Sequence, residues 1–300
     1  LWKTWYRLNH WNRPNELIYI TLTTIPERLQ SDYFRQALES LIYQYPTKII
    51  LNVPWIYKRT GESYVIPDWI AQHPDVIVHR CEDQGPVTKV LGGLSLIPDD
   101  AWVIVVDDDH IYKDFLVSEL ALKFSQRPEG VLCFCTFEEP KWVEMGHEWA
   151  ARMPCGFAGW IAKATDVKRL QSVPLPKECR LIDDHWLGWA FHVLQKPVRR
   201  ISDDYKWYHS IKHEDHGANL HPPWFELRAK TNRRRLQREC MASIQQLHMP
   251  GVITCTRGYV SHPMNQPSSK TFECTNADHL ANSPRQSNES DALRQTNHQN

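Results

Sequence analysis

Three adjacent aspartates, Asp107-Asp108-Asp109, close the apolar run Val103-Ile104-Val105-Val106. Carboxylates packed this closely repel one another, and their partial burial is costly without a cation. On an extended chain, positions 107 and 109 point to the same side. Two carboxylates at that spacing suit a hard divalent ion, Mg2+ or Mn2+. Such an ion neutralises phosphate oxygens of a bound nucleotide. An acidic polar loop is the plainer alternative.

A second acidic pair, Asp183-Asp184, opens a stretch that reads as a helix over residues 183–194, with Trp186, Leu187, Ala190 and Phe191 on one face. One carboxylate there can act as general base on a hydroxyl while the other orients it. Acids also favour the first turn of a helix as caps, and the two roles are compatible. A third group is histidine-rich: His209, His213 and His216 flank Glu214-Asp215. Gly156 and Gly159 bracket Phe157-Ala158, where a glycine permits close backbone approach to a ligand or simply makes a turn. Trp160, Trp186 and Trp189 are candidates to stack on a sugar ring, or core residues.

These residues need a scaffold. Strands are expected at residues 17–22, 48–53, 76–78, 102–106 and 131–137, and helices at 32–44 and 87–96, the latter opened by Gly85-Pro86. Alternating strand and helix over the first half predict a mostly parallel central sheet flanked by helices. Ligands of such sheets sit at the carboxyl ends of strands, and the polar breaks after Leu22 and Val106 fall there.

Basic and acidic residues balance at 35 each, which argues against electrostatic capture of nucleic acid. The basic cluster Arg233-Arg234-Arg235 with Arg238 reads as a solvated helix face. Eight scattered cysteines contain no CxxC pair, so zinc is not expected. Cys133 and Cys135 are expected as buried thiols on one strand face. The chain is large enough not to need disulfides, and a reducing, cytoplasmic setting is expected. No run of about 18 apolar residues predicts a membrane span. Residues 1–14 form an aromatic segment with Trp2, Trp5, Tyr6 and Trp11. Residues 15–248 are expected as the main domain. From residue 249 the pattern turns irregular, and an Asn-, Gln-, Ser- and Thr-rich disordered tail is expected, with a glycosylation pattern at Asn288.

Four segments in order resemble a family of GT-A glycosyltransferases: TLTTIPERL (residues 21–29), DQGPVTKVLGGLSLIPDDAWVIVVDDDHIY (83–112), CGFAGWIAK (155–163) and LIDDHWLGWAF (181–191). The resemblance covers roughly residues 15–225 and implies a GT-A, Rossmann-like α/β fold. It implies a metal-dependent transfer of sugar from a nucleotide-sugar, UDP-sugar favoured and GDP open, to a glycan or other acceptor hydroxyl. Residue by residue, it places metal and diphosphate on Asp107 and Asp109 and donor hydroxyls on Asp108. It sets Thr23, Pro26, Arg28 and Lys89 beside the nucleotide, and Gly156 and Gly159 near the transferred sugar. It makes Asp184 the base and Asp183 its orienting partner, and it completes the metal shell with His213 or His209. Taken alone, Thr23 reads equally as a cap, Arg28 as a surface residue and Lys89 as a solvated helix charge. Two departures stand out: His110 replaces an apolar residue, and Asp183 replaces the more common Glu, which leaves inverting against retaining stereochemistry open. Two other classes compete, namely a different Mg2+-dependent phosphate-processing enzyme and a carbohydrate-binding module without turnover.

Overall fold

Short aliphatic runs form the centre of the molecule. The computed structural model describes residues 16–201, 212–213 and 223–247, with the backbone alone of 212–213 and 223–231. The main sheet has seven strands: β1 (Ile18–Thr23), β2 (Lys48–Pro54), β3 (Val76–Cys81), β4 (Trp102–Val105), β5 (Val131–Cys133), β6 (Trp160–Lys163) and β7 (Val198–Arg200). Their spatial order is β7-β5-β6-β4-β1-β2-β3. The pairs β1–β2, β1–β4, β2–β3 and β5–β7 are parallel, and β6 runs antiparallel to both its neighbours. The chain is therefore an α/β protein with a mostly parallel sheet. Strand order reverses beside β1, with β2 on one side and β4 on the other. Open sheets of this kind bind ligands at such a reversal, beyond the carboxyl ends of the strands.

The helices that matter for the site are α1 (Pro26–Leu29), α2 (Asp32–Ile42), α3 (Thr88–Leu91), α4 (Leu116–Gln126), α5 (Asp183–Val193) and α6 (Pro223–Gln246). Ser31 caps α2 by accepting the Phe34 N–H at 3.1 Å. Phe34, Ala37, Leu38 and Leu41 then fall on one buried stripe at helical spacing. Leu116, Leu120 and Phe124 do the same for α4, and Phe124 meets the Trp102 ring edge-on at 5.1 Å. Each such leucine or phenylalanine, fully buried, contributes about 1.5–3 kcal/mol.

Four expectations change. The helix expected over 87–96 is α3 followed by a 3-10 turn, Leu94–Leu96, because Gly92 and Gly93 lie tight against Asn52 of β2. The strand expected over 131–137 stops at Cys133. Its partner β6 begins only after Gly159, whose φ of +80° turns the chain away. Thr136–Phe137 pairs instead with Met153–Pro154 as a separate antiparallel ribbon. Cys133 and Cys135 therefore do not share a strand face: Cys133 is buried in the sheet and Cys135 is half-buried at the ribbon's start. Finally, Cys179 and Cys240 form a disulfide, where thiols were expected. These residues are 61 apart in sequence, and packing of α6 against the turn before α5 brings them together.

Arg233, Arg234, Arg235 and Arg238 are exposed on α6. Trp160, Trp186 and Trp189 are buried and belong to the core. No helix among the described residues is long and apolar enough to cross a membrane. The aromatic segment 1–14 and the tail from 249, including Asn288, lie outside the described residues.

Candidate active site

Strand β4 is buried along its whole length, so its end delivers the aspartates at the rim of the sheet. The strand alternation carries into the triplet. Asp107 and Asp109 keep 27% and 25% of their side-chain exposure, and Asp108 turns inward at 9%. Two tyrosines pin the backbone here. The Tyr112 hydroxyl accepts the Asp107 N–H at 3.0 Å and donates to the Asp107 carbonyl at 3.2 Å. The Tyr33 hydroxyl donates to the Asp109 carbonyl at 2.9 Å.

The end of β1 faces the end of β4 across the reversal. Thr24 Oγ1 donates to Asp108 Oδ2 at 2.6 Å, and Arg28 Nη1 donates to Asp108 Oδ1 at 2.6 Å. The same guanidinium reaches Asp109 Oδ2 at 3.2 Å. Burial pushes Asp108 up to about 6, against the pull of Arg28. Burial also acts upward on Asp109, but the hydrogen bond with His110 Nδ1 and the charge of Arg28 bring it down to about 2.

Lys89 is the hinge of the site. Its side chain is only 5% exposed, and Nζ lies 2.6 Å from Asp107 Oδ1 and 2.7 Å from Asp183 Oδ2. The second contact is an ion pair without hydrogen-bond geometry, since Asp183 Oδ2 is buried with no hydrogen bond. Burial alone would lower the Lys89 pKa, but Asp107, Asp183 and Asp184 hold it well above the ordinary value. The helix that carries Lys89 is itself anchored: Thr21 Oγ1 donates to the Lys89 carbonyl at 2.6 Å, and Asn52 Nδ2 donates to Thr21 Oγ1 at 2.8 Å. Gly85, at φ +75°, sits so close to the Arg180 carbonyl that a Cβ would stand 2.3 Å from it. This contact presses the Gly-Pro loop against the segment that leads into α5.

Asp184 lies one residue further along α5. Burial, then the neighbouring Asp183, pushes it up to about 8. The Gly156 N–H reaches Asp184 Oδ1 at 3.5 Å. A Cβ on Gly156 would fall 2.5 Å from Lys89 Nζ and 2.6 Å from Asp107 Oδ1. Only glycine fits there without moving the ion pair.

The structure thus brings Asp107, Asp108, Asp109, Arg28, Lys89, Asp183, Asp184 and Gly156 into one constellation. Other expected residues lie to its side. Thr23 donates to the Asn52 carbonyl at 2.8 Å, Pro26 starts α1, and Gly159 packs toward Leu116 of α4. Asp108, expected to meet donor hydroxyls, has both oxygens engaged by Thr24 and Arg28. His213 lies on a two-residue strand, Lys212–His213, whose backbone pairs antiparallel with Ile111–Tyr112 and sets His213 opposite Ile111. His209 and His216 lie outside the described residues.

Three residues were missed. Thr24 stands next to the chosen Thr23 with nothing in sequence to separate them. Tyr112 closes the resembled segment 83–112 but carried no assigned role. Arg233, read as solvated, exerts its charge on Asp184 and His185. It precedes the anchored Cys240 by seven residues, two helical turns, and so shares its face of α6.

Asp107, Asp108, Asp109, Asp183 and Asp184 are five carboxylates; Lys89 and Arg28 pair with them directly, and Arg233 acts on Asp184 from α6. That excess suits a further cation, and Asp107 and Asp109 are the partly exposed donors. Among the described residues no group of three or more potential ligands stands ready to hold a metal. Further ligands would have to come from solvent, from substrate or from the strand carrying His213.

No protein-family model matches the chain, and no curated protein does. Solved structures of similar shape include a mannosyltransferase, PcManGT, from Pyrobaculum calidifontis in complex with GDP-Man and Mn2+. It is 13% identical, with a TM-score of 0.43 over 67% of this chain and 61% of that one. Residues 1–349 of S. aureus TarS match at 14% identity and TM-score 0.43, over 62% of this chain and 58% of that one. A 4-diphosphocytidyl-2C-methyl-D-erythritol synthase matches at 14% and 0.41, over 65% and 91%. The chain spans about three fifths of the first two. Likenesses this low carry no argument about activity, which rests on the site's own residues.

Proposed function

We propose that the chain is a glycosyltransferase of the GT-A type. It would move a sugar from a nucleotide-sugar, UDP-sugar first and GDP-sugar second, to a hydroxyl of a glycan or other acceptor. One observation carries this reading: at the strand-order reversal, Lys89 draws the β4 carboxylate Asp107 and the α5 carboxylate Asp183 to within 2.7 Å of one amine. A phosphate-handling edge and a base-bearing edge therefore share one crevice.

Mg2+ or Mn2+, held by Asp107 and Asp109 with His213 or His209 as a further ligand, would supply Lewis-acid stabilisation of the departing diphosphate. The remaining work falls to the chain. Arg28 and Lys89 offer positive charge where diphosphate negative charge grows. Thr23 and Pro26 border the nucleotide, and Asp108 contributes by fixing Arg28. Asp184 takes the proton from the acceptor hydroxyl as it attacks the anomeric carbon, and Asp183 orients that hydroxyl. This arrangement gives inversion. A base with a pKa near the working pH is well matched to that proton transfer, and Asp184 is pushed up to about 8.

A thermal-shift panel of UDP- and GDP-sugars, each with Mn2+ and with chelator, tests the donor half. A ligand that binds only the folded chain raises its melting temperature. A shift seen with one nucleotide and abolished by chelator is expected. Shifts with no nucleotide at all would overturn the proposal, and nucleotide release without sugar transfer would move it to another phosphate-processing class.

A further inference from the structure

Three reduced cysteines lie close to the candidate site without taking part in it: Cys133, Cys135 and Cys155. Two of them face each other. The ribbon Thr136–Phe137 pairs antiparallel with Met153–Pro154 in the register Met153↔Phe137 and Pro154↔Thr136. The next rung of that ladder is Cys155 opposite Cys135. The backbone continues the pairing there, with the Cys155 N–H donating to the Cys135 carbonyl at 3.4 Å. The two side chains also share a hydrogen bond. Directly opposed residues of an antiparallel pair hold their Cα atoms about 4.5–5.5 Å apart, within the range that a disulfide spans. Cys133 sits in the sheet instead, across from Trp160.

We propose that Cys135 and Cys155 are a covalent modification site, a thiol pair that a small-molecule disulfide converts to a second disulfide of this chain. Cys135 is the half-buried member and Cys155 the buried one, so the entering reagent meets Cys135 first. The Cys135 thiolate attacks one sulfur of oxidised glutathione. Its S–S bond breaks, one glutathione leaves as thiol, and a mixed disulfide forms. The Cys155 thiolate then attacks the Cys135 sulfur and expels the second glutathione thiol. Two protein thiols are oxidised, one external disulfide is reduced, and the two protons pass to the departing thiolates. Burial holds the Cys155 thiol well above its ordinary range, so this second step quickens as pH rises.

The bond would act on the crevice through one peptide link. Cys155 is followed by Gly156, which fits against the Lys89–Asp107 ion pair and reaches Asp184. Closing the loop of 19 residues between positions 135 and 155 would hold that glycine in place.

The test uses the full chain, incubated with oxidised glutathione at pH 8, alkylated and mapped by peptide mass spectrometry. A linked Cys135–Cys155 peptide, lighter by two hydrogens and absent from Cys135→Ser, is expected. So is a melting temperature raised by ~5 °C or more, as a loop of this length implies. Either of two results would overturn the proposal while Cys179–Cys240 stays intact: both cysteines recovered alkylated, or Cys135 left as a stable glutathione adduct beside alkylated Cys155. The readout needs no sugar transfer, so its failure is separate from failure of the glycosyltransferase reading.

Discussion

Replacing Lys89 with Met removes the charge shared by Asp107 and Asp183 while keeping the length of the side chain. At an effective dielectric of ~20, each contact at 2.6–2.7 Å amounts to ~6 kcal/mol of Coulomb attraction. Desolvation of a 5%-exposed amine offsets much of that. What remains on deletion is the cost of stranding buried carboxylates, about 3–5 kcal/mol. For a folded unit of this size that corresponds to a melting temperature lower by ~6–20 °C. The pH dependence has a definite sign. In the parent chain, Lys89 is held above its ordinary value of 10.5, so its contribution is complete below that pH and is lost only above it. In Lys89→Met the stranded Asp107 carboxylate, which burial already raises, titrates higher folded than unfolded. The folded state then binds more protons, and stability falls as pH rises from about 4. The deficit measured by circular dichroism should therefore be larger at pH 8 than at pH 5, and Mn2+ should narrow it. A variant that melts within ~2 °C of the parent at pH 8, or an equal deficit at both pH values, would refute the assignment of Lys89 as the neutralising cation.

Other consequences can be checked separately. Asp184→Asn should lower transfer by ~10²–10⁴-fold with the melting temperature kept, and the parent's rate should climb with pH toward about 8, a climb the variant lacks. Gly156→Ala forces the Lys89–Asp107 pair apart, and a displacement of about 1 Å at such a centre costs ~10²-fold in kcat; an unchanged kcat would exclude the close packing. Tyr112→Phe leaves the partly buried Asp107 N–H without its partner, so a loss of ~1–3 kcal/mol is expected by urea unfolding. Asp109→Asn should abolish any Mn2+-dependent thermal shift, and because Arg28 and His110 hold this carboxylate down to about 2, the metal-free melting temperature at pH 7 should fall as well.

The parallel half of the fold was readable because each strand is a continuous aliphatic run followed by polar residues, as at Val103 to Asp109. The acidic triplet was readable for the same reason: carboxylates directly after a buried strand have few structural explanations. Sequence could not show how the triplet divides. Asp108 turns inward only because Thr24, just past β1, and Arg28 on α1 reach it, a long-range pairing across 80 or more positions. The embrace of Lys89 by two carboxylates likewise depends on Gly85 pressing its loop toward Arg180. Periodicity failed where glycine set the geometry: Gly92-Gly93 cut a helix, and Gly159 ended the ladder that the run 131–137 was expected to extend. The Cys179–Cys240 bond was hidden because no local spacing relates residues so far apart.

That bond alters what a cut backbone would mean. Helix α6 reaches the turn before α5 by two routes, the polypeptide and the sulfur bridge. A single proteolytic nick anywhere between positions 180 and 239 would sever only the first. The two fragments would travel as one species under non-reducing electrophoresis and separate on reduction, so α6 would remain leashed to the base-bearing helix even after the chain between them was broken.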